Sequence, residues 1–361
     1  MSLFTAVKLG TLELPNRIVM SGMTRSRAPE AGIPTELTAT YFSQRASAGL
    51  VVTGSVTVSP EASGYLWTEG IHSDRQIAGW RRVTEAVHSA GGRIAVQLIH
   101  CGRVSHSSLQ PDRSAPPGVS GVAADAEVFA LAADGTPGMV ACSPPRPLAT
   151  AEIEAIVESY VEAARNARAA GFDAVEIQGG NGFLVEQFLT PAVNSRTDRY
   201  GRPSTFLLEV VDAVVTAVPG IVLGVKLTPG GVVNGITPAM DWPAAHLHLL
   251  GELSGRDVAF VTLADQAAVG AAGGYDTEFA ADARAAFDRM LILGGGYTAE
   301  TATAAIDERR ADLIAFGRPF LANPDLPARL RARRPLADAD PATFYGGGAE
   351  GYTDYPTDSD A

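Results

Sequence analysis

The chain has 361 residues, of which 46% are hydrophobic and 19% are charged, a balance typical of a globular protein with an ample core. Its formal net charge of −12 argues against nucleic acid or an anionic membrane surface as a partner. Its two cysteines, Cys101 and Cys142, cannot form a disulfide framework or a four-cysteine zinc site. No apolar run reaches the roughly 18 residues of a membrane helix. We therefore expect a soluble, cytoplasmic protein.

The elements begin with a small hairpin, because residues 3–13 alternate in hydrophobicity around a turn at Gly10. A repeat then follows, in which a short apolar run leads into a glycine-bearing loop and an amphipathic helix. The predicted strands are Arg17–Met20, Leu50–Val58, Ile94–Ile99, Ala174–Ile177, Ile221–Lys226, Val258–Thr262, Met290–Leu293 and Leu313–Phe316. The predicted helices are Thr35–Ala48, Ile77–Ala90, Ala151–Ala170, Thr205–Val218, Ala239–Leu253, Thr277–Phe287, Thr298–Ile306 and Asn323–Arg334.

This alternation predicts an α/β fold with a parallel sheet, and its number of strands is the one that closes a (β/α)₈ TIM barrel. An open doubly wound sheet is the alternative. Thr150, Ser204 and Thr298 stand at plausible helix N-caps. We expect a single domain over residues 1–361, ending in an acidic tail at 350–361.

One segment departs from the repeat. Residues 102–148 follow the third strand and are rich in Pro, Ser, Ala and Gly, without strong periodicity. Loops of this length are usually functional or mobile. The segment therefore predicts an excursion, or lid, on the catalytic face of the barrel.

A phosphate site is predicted by the loops after the last two strands. One loop carries Gly295 and Gly296, and the other carries Gly317 and Arg318. In a barrel these are the seventh and eighth βα loops, a recurrent phosphate-binding position. Backbone N–H groups can approach phosphate oxygens at glycines, and arginine adds a bidentate charge. The alternative is that these are turn glycines and a surface arginine.

Other cofactor and metal motifs are weak. Gly346–Gly351 matches the dinucleotide pattern G-x-G-x-x-G, but it follows no convincing strand and opens no helix, so the match is attributed to chance. The histidines show no metal-ligand spacing, and His246 and His248 are predicted on a helix surface. No metal site is predicted.

The loop after the fourth strand is the candidate catalytic centre, since it carries Gln178, Asn181 and Phe183 among glycines. Such loops hold the chemistry of α/β barrels. Lys226 ends an otherwise apolar strand, a costly position unless the lysine is paired or faces a ligand. Further polar residues at strand ends are Thr24, Ser55, Gln97 and His100.

Several long blocks give the chain a family resemblance. They read NRIVMSGMTRSR, ASAGLVVTGSVTVSPEASGY, AVQLIHCGRVSHSSLQP, GFLVEQFLTPAVNSRTDRYG and FYGGGAEGYTDYP. Together they resemble the Old Yellow Enzyme family, in its N-ethylmaleimide and pentaerythritol tetranitrate reductase branch. The resemblance implies a TIM barrel with noncovalent FMN, reduced by NADPH or NADH and reoxidised by an electron-poor alkene.

The resemblance also assigns roles to residues. Gly22, Met23 and Thr24 would lie along the flavin. The Thr24 hydroxyl, assigned as catalytic, would lie near the carbonyl beside N5 and tune the electron demand of the ring. Ser55 would face the same carbonyl edge, and Gln97 would hydrogen-bond the pyrimidine side. Lys226 stands where the family has an arginine beside flavin N1 and O2. Lysine keeps the positive charge but lacks the guanidinium group, which can donate two parallel hydrogen bonds. The family's phosphate site falls on Gly295, Gly296, Gly317 and Arg318. Tyr65, Ile99 and Tyr352 match substrate-pocket positions, and Ile99 replaces a tryptophan.

The departures concern the catalytic loop. Gln178 and Asn181 stand where the family has a His-x-x-His or His-x-x-Asn pair that binds the substrate oxygen, and Phe183 stands where it has the tyrosine that protonates the α-carbon. Amides donate N–H but carry no charge, and phenylalanine donates no proton. The leading interpretation remains alkene reduction of a small-molecule substrate by a monomer or homodimer. Altered flavin chemistry (dehydrogenation, isomerisation or reductive cyclisation of a dedicated intermediate) and a non-catalytic barrel are the alternatives.

Overall fold

At the centre of the fold eight parallel strands close into a barrel. The computed structural model describes residues 2–267 and 270–357. The strands are β1 Ile18–Met20, β2 Leu50–Thr57, β3 Ile94–Ile99, β4 Ala174–Gln178, β5 Val222–Leu227, β6 Phe260–Ala264, β7 Met290–Gly294 and β8 Leu313–Phe316. Each strand pairs with the next in sequence, and β8 returns to β1. The predicted TIM barrel is confirmed, and the open sheet is wrong.

Helices cover the barrel. They are α1 Glu36–Ser43, α2 Asp74–Ser89, α3 Thr150–Ala169, α4 Thr205–Ala217, α5 Trp242–Ser254, α6 Thr277–Ala286, α7 Ala299–Asp307 and α8 Leu326–Ala332. Two short helices, Leu184–Leu189 and Pro319–Ala322, follow β4 and β8. One-turn 3₁₀ helices lie at Pro60–Ala62, Ser107–Leu109, Pro111–Arg113, Arg199–Gly201 and Pro341–Thr343. None of the helices in the described residues is long and apolar enough to span a membrane.

The predicted caps have mixed outcomes. The Thr298 hydroxyl accepts from the Thr301 N–H, as predicted. Thr150 is not the N-cap of α3; Ala149 is, and its N–H is bound by the Glu152 carboxylate at 2.8 Å, while the Thr150 hydroxyl binds Asp198. Ser204 stands at the N-cap of α4 but makes no capping bond. At α3 the Thr150 hydroxyl is thus used by Asp198 and not by the helix N-terminus.

An antiparallel hairpin, Val7–Leu9 with Leu12–Leu14, closes the amino-terminal end of the barrel. Leu9 and Leu14 are buried against apolar side chains from the barrel strands. Gly10, with φ of 58°, makes the turn. The hairpin predicted for residues 3–13 is confirmed.

The excursion after β3 has more order than its sequence predicts. Glu127–Leu131 and Pro137–Ala141 form an antiparallel hairpin, and Pro117–Gly118 pairs with Arg146–Pro147. Val128 and Ala130 are fully buried against a cluster that contains Phe183. The excursion therefore packs on the loop after β4. A last small pair, Gly231–Val232 with Ala272–Gly273, joins the loops after β5 and β6.

Candidate active site

A cavity of about 430 Å³ opens at the carboxyl ends of the barrel strands. Parallel strands bring the loops that follow them to this one end. Many of the residues nominated above for a flavin line it: Gly22, Met23, Thr24, Lys226, Gly295, Gly296, Gly317 and Arg318. Asn181 lines it as well, together with Asp265, Gln266, Tyr297, Phe344 and Tyr345.

Glycines form the cavity wall where backbone comes closest to it. Gly295 and Gly296 have φ of 130° and 64°, which only glycine adopts freely. At Gly317 an added Cβ would touch only the Met23 sulfur, at 3.7 Å. Helix α7 begins just beyond Gly296, so its N-terminus adds partial positive charge nearby. Backbone amides, a helix start and Arg318 together fit a phosphate group.

Gly22 is the most confined of these glycines. A Cβ there would lie 2.4 Å from the Thr53 carbonyl oxygen and 2.9 Å from Gln97 Nε2. Gly22→Ala is therefore expected to lower the free energy of unfolding by about 1–3 kcal/mol, as measured by urea denaturation. Gly251→Ala is the control, since Gly251 lies within α5 with no heavy atom within 4 Å of the added Cβ. It is expected to raise stability by about 0.5–1 kcal/mol. An unchanged free energy of unfolding for Gly22→Ala would contradict this packing.

Gln97 and Gln178 belong to a buried hydrogen-bond chain just outside the cavity lining. Gln97 Nε2 donates to Glu176 at 2.6 Å, so Gln97 Oε1 faces Gln178 and accepts from its Nε2 at 3.1 Å. Gln178 Oε1 accepts from the Gly180 N–H at 3.0 Å. A carboxylate at one end and a peptide N–H at the other fix the polarity of both amides. Ser55 lies in the same chain, donating to Gln97 Oε1 at 3.3 Å.

Asn181 has its amide oriented by neighbouring side chains. Its Oδ1 accepts from Gln266 Nε2 at 2.6 Å, and its backbone carbonyl accepts from Asn234 Nδ2 at 2.8 Å. Its backbone is in the left-handed region, with φ of 60°. Because Oδ1 is engaged, the Nδ2 group is what Asn181 offers to a ligand. Asn181 is thus a neutral N–H donor at the cavity.

Lys226 is a buried cation at the same cavity, with 5% of its surface exposed. Burial lowers the pKa of its ammonium group, while the Glu176 carboxylate acts in the opposite direction. Thr262 donates to the other Glu176 oxygen at 2.8 Å. A positive charge in this low-dielectric position acts strongly on any negative charge that develops beside it.

Three nominated substrate residues form one apolar cluster. Phe183 is 6% exposed and meets the Tyr65 ring edge-on, with centroids 6.3 Å apart, and Ile99 packs in the same cluster. None of the three lines the cavity. Burial raises the pKa of the Tyr65 hydroxyl, and a hydrogen bond with the Asn234 side chain opposes this.

The carboxyl-terminal tyrosines are placed differently from the sequence-based assignment. Tyr352 is 1% exposed and stacks on Tyr41 with centroids 4.1 Å apart, outside the cavity lining. Tyr345, which the assignment missed, lines the cavity and is 56% exposed. Its signal in the sequence was an aromatic pair, Phe344 and Tyr345, directly before three glycines.

Two arginines hold this aromatic segment over the cavity. Arg25 donates to the carbonyls of Phe344, Thr343 and Gly351 at 2.8–3.2 Å. Arg27 donates to carbonyls of the same segment, including Thr343 at 2.8 Å. We call residues 343–351, with these bonds, the clamped segment. Both arginines lie within three residues of Thr24, so the loop that lines the cavity through Met23 and Thr24 also binds the clamped segment.

Comparison with known proteins gives whole-chain similarities. The model of the NADH:flavin oxidoreductase / NADH oxidase family matches residues 2–337. A chanoclavine-I aldehyde reductase of Penicillium roqueforti is 38% identical, covering 98% of this chain and 95% of that protein. A 12-oxophytodienoate reductase of Oryza sativa subsp. japonica is 37% identical, covering 98% and 92%. The structure of morphinone reductase with tetrahydroNAD is 45% identical with a TM-score of 0.94, covering 99% and 98%.

Proposed function

This chain belongs to the NADH:flavin oxidoreductase / NADH oxidase family, and we propose that it reduces a neutral, activated alkene at the cavity described above. It is an FMN-dependent oxidoreductase of the ene-reductase type, with NADPH or NADH as reductant. The observation that carries the substrate proposal is the side chain of Asn181, a neutral donor that lines the cavity. The cation of the same cavity, Lys226, is assigned to the cofactor and not to the substrate.

The residues of this chain fit FMN. Arg318, Gly317, Gly295 and Gly296 would hold the phosphate, while Gly22, Met23, Thr24 and Lys226 would line the ring. Gln97 and Ser55 would support the ring from behind through the buried amide chain. When bound, FMN supplies hydride transfer. Lys226 would stabilise the negative charge that accompanies it.

The substrate would be oriented by amide donors. Asn181 Nδ2, which lines the cavity, would donate to its carbonyl or nitro oxygen, and the second N–H of Gln178 would be a further donor from the buried amide chain next to the lining. Hydrogen bonds from neutral donors contribute about 1 kcal/mol, against about 1.5–3 from charged ones. Phe183 has no exchangeable proton, so water would protonate the α-carbon. Tyr65, Ile99 and Phe183, which lie outside the cavity lining, would support the apolar side of the substrate pocket from their own cluster, and Tyr345 would take the position assigned to Tyr352.

The proposal extends to organisation. We take residues 1–361 as one domain and the cytoplasm as its location. Residues 102–148 would form a lid, which packs on the catalytic loop through the apolar cluster that contains Val128 and Phe183. The acidic tail expected at 350–361 falls partly on residues 358–361, outside the described part of the chain. The relatives include reductases and a probable flavin mononucleotide-dependent alkene reductase of Leishmania infantum, which favours reduction over the altered-chemistry alternatives.

An anaerobic half-reaction assay tests this function. The purified protein is expected to be yellow, to bleach with NADPH or NADH, and to recolour when cyclohexenone or a nitroalkene is added. Matched samples receive cyclohexanone, which lacks the alkene, and are expected to stay bleached. If no enone or nitro compound reoxidises the protein faster than oxygen does, the proposed alkene reduction is wrong. A colourless protein that rejects added FMN would contradict the cofactor assignment.

A further inference from the structure

A buried carboxyl group lies beneath the catalytic loop without a role in the reaction described above. Glu186, in the short helix Leu184–Leu189, is 6% exposed and surrounded by buried residues. Burial raises its pKa to about 7, and hydrogen bonds from Gly182 and Thr228 oppose this. Burying a carboxyl group costs free energy unless hydrogen bonds satisfy it. Its hydrogen-bond partners therefore indicate what it does.

Those partners lead directly to Asn181. The Gly182 N–H donates to Glu186 Oε2 at 2.5 Å, and the Thr228 hydroxyl donates to Oε1 at 3.2 Å. Thr228 Oγ1 in turn accepts from the Asn181 N–H at 2.9 Å. One carboxyl group thus holds two consecutive peptide N–H groups, one directly and one through a hydroxyl.

The backbone held in this way lies in the left-handed region. Asn181 and Gly182 both have positive φ, of 60° and 77°. Glycine adopts this conformation freely and asparagine tolerates it better than most residues, so the hydrogen bonds around Asn181 select it over the more common backbone conformations. The backbone of Asn181 sets where its side chain points, and Gln266 then fixes the rotation of the amide. Releasing the backbone would displace the Nδ2 donor from the cavity.

We propose that Glu186 is a positioning residue, which through the Gly182 N–H and the Thr228 hydroxyl holds the Asn181 amide toward the substrate oxygen. The proposal rests on the function proposed above. It also explains why an apolar side chain would not serve at this helix position: both donors would be left buried and unsatisfied. Glutamine could still accept from Gly182 and bind Thr228 Oγ1, so it should retain most of the effect.

The test is a double-mutant cycle in the FMN-loaded protein, with cyclohexenone and NADPH. Glu186→Leu and Asn181→Ala are each expected to lower kcat/KM by about tenfold to 10²-fold. Because Glu186 acts only through Asn181, adding Glu186→Leu to Asn181→Ala should change kcat/KM by less than about threefold. Glu186→Gln should stay within about threefold of the wild type. If Glu186→Leu does not fold, Thr228→Val replaces it in the cycle with Asn181→Ala, since it removes the hydroxyl that links Glu186 to Asn181.

The control is Glu209→Leu on α4, where a carboxylate that accepts from the Tyr200 hydroxyl at 2.8 Å is removed away from the cavity. It should leave kcat/KM unchanged. If the losses multiply in the double variant, Glu186 stabilises the fold without positioning Asn181, and the inference is wrong. If the wild type turns over neither cyclohexenone nor any other enone or nitro compound, the proposed function fails instead, so the two failures are distinguishable.

Discussion

Lys226→Met is expected to lower kcat/KM for enone reduction by about 10²-fold or more, because it removes a buried positive charge where negative charge develops. Methionine is unbranched like lysine, one atom shorter, and fills nearly the same volume without a charge. Lys226 is 5% exposed, so water cannot readily replace the lost charge. FMN should remain bound through the phosphate residues, and its midpoint potential should become more negative. Steady-state kinetics and a dye-equilibrated redox titration measure the two effects.

Lys226→Arg is the matched control. Arginine restores the charge and adds a bidentate fork, so activity should stay near that of the wild type. The change places a larger group beside Glu176, whose oxygens already accept from Gln97 and Thr262. Wild-type turnover by Lys226→Met, with an unshifted potential, would show that the lysine serves only to pair Glu176.

The second large effect is a gain. Phe183→Tyr combined with Gln178→His is expected to raise enone reduction by about 10²-fold, since a positioned general acid typically contributes about 10²–10⁴-fold. Phe183 immediately precedes the helix Leu184–Leu189, and tyrosine there adds only a hydroxyl to the same ring. Histidine at position 178 adds a donor that can carry charge.

Each substitution is also measured alone, and Gln178→His with Phe183 unchanged is the control that isolates the contribution of the added hydroxyl. In D₂O, the wild type should deuterate the α-carbon of a 2-substituted enone on both faces, since water delivers the proton. The double variant should favour one face. An unchanged rate and an unchanged distribution of deuterium would mean that protonation in this chain does not pass through position 183.

The barrel could be predicted because each strand and helix carries its own local pattern. The proposed phosphate position followed from this, since the seventh and eighth loops are adjacent once the barrel closes. The hairpin Glu127–Leu131 with Pro137–Ala141 escaped prediction because its buried residues, such as Val128 and Ala130, are covered by a distant loop. The pattern within the segment alone does not show which face is covered.

The details of the site depend on contacts between distant residues. The polarity of the Gln97 and Gln178 amides follows from Glu176, on the neighbouring strand in space. Glu186 reads in sequence as one more polar helix residue, and its contacts with Gly182 and Thr228 are what link it to Asn181. Tyr345 and Tyr352 stand in one motif, and the sequence does not show which of them faces the cavity, because Arg25 binds the carbonyls of Phe344 and Gly351 beside them from a distant loop.

The clamped segment has a consequence for how the protein is made. Arg25 binds carbonyls that lie 318 and 319 positions later in the chain. During translation, the first barrel loop therefore cannot complete these contacts until the clamped segment has been synthesised. We expect FMN to enter a finished cavity only after that point. A stalled or truncated nascent chain that lacks this segment would present an open, incomplete cavity, whatever the state of the rest of the barrel.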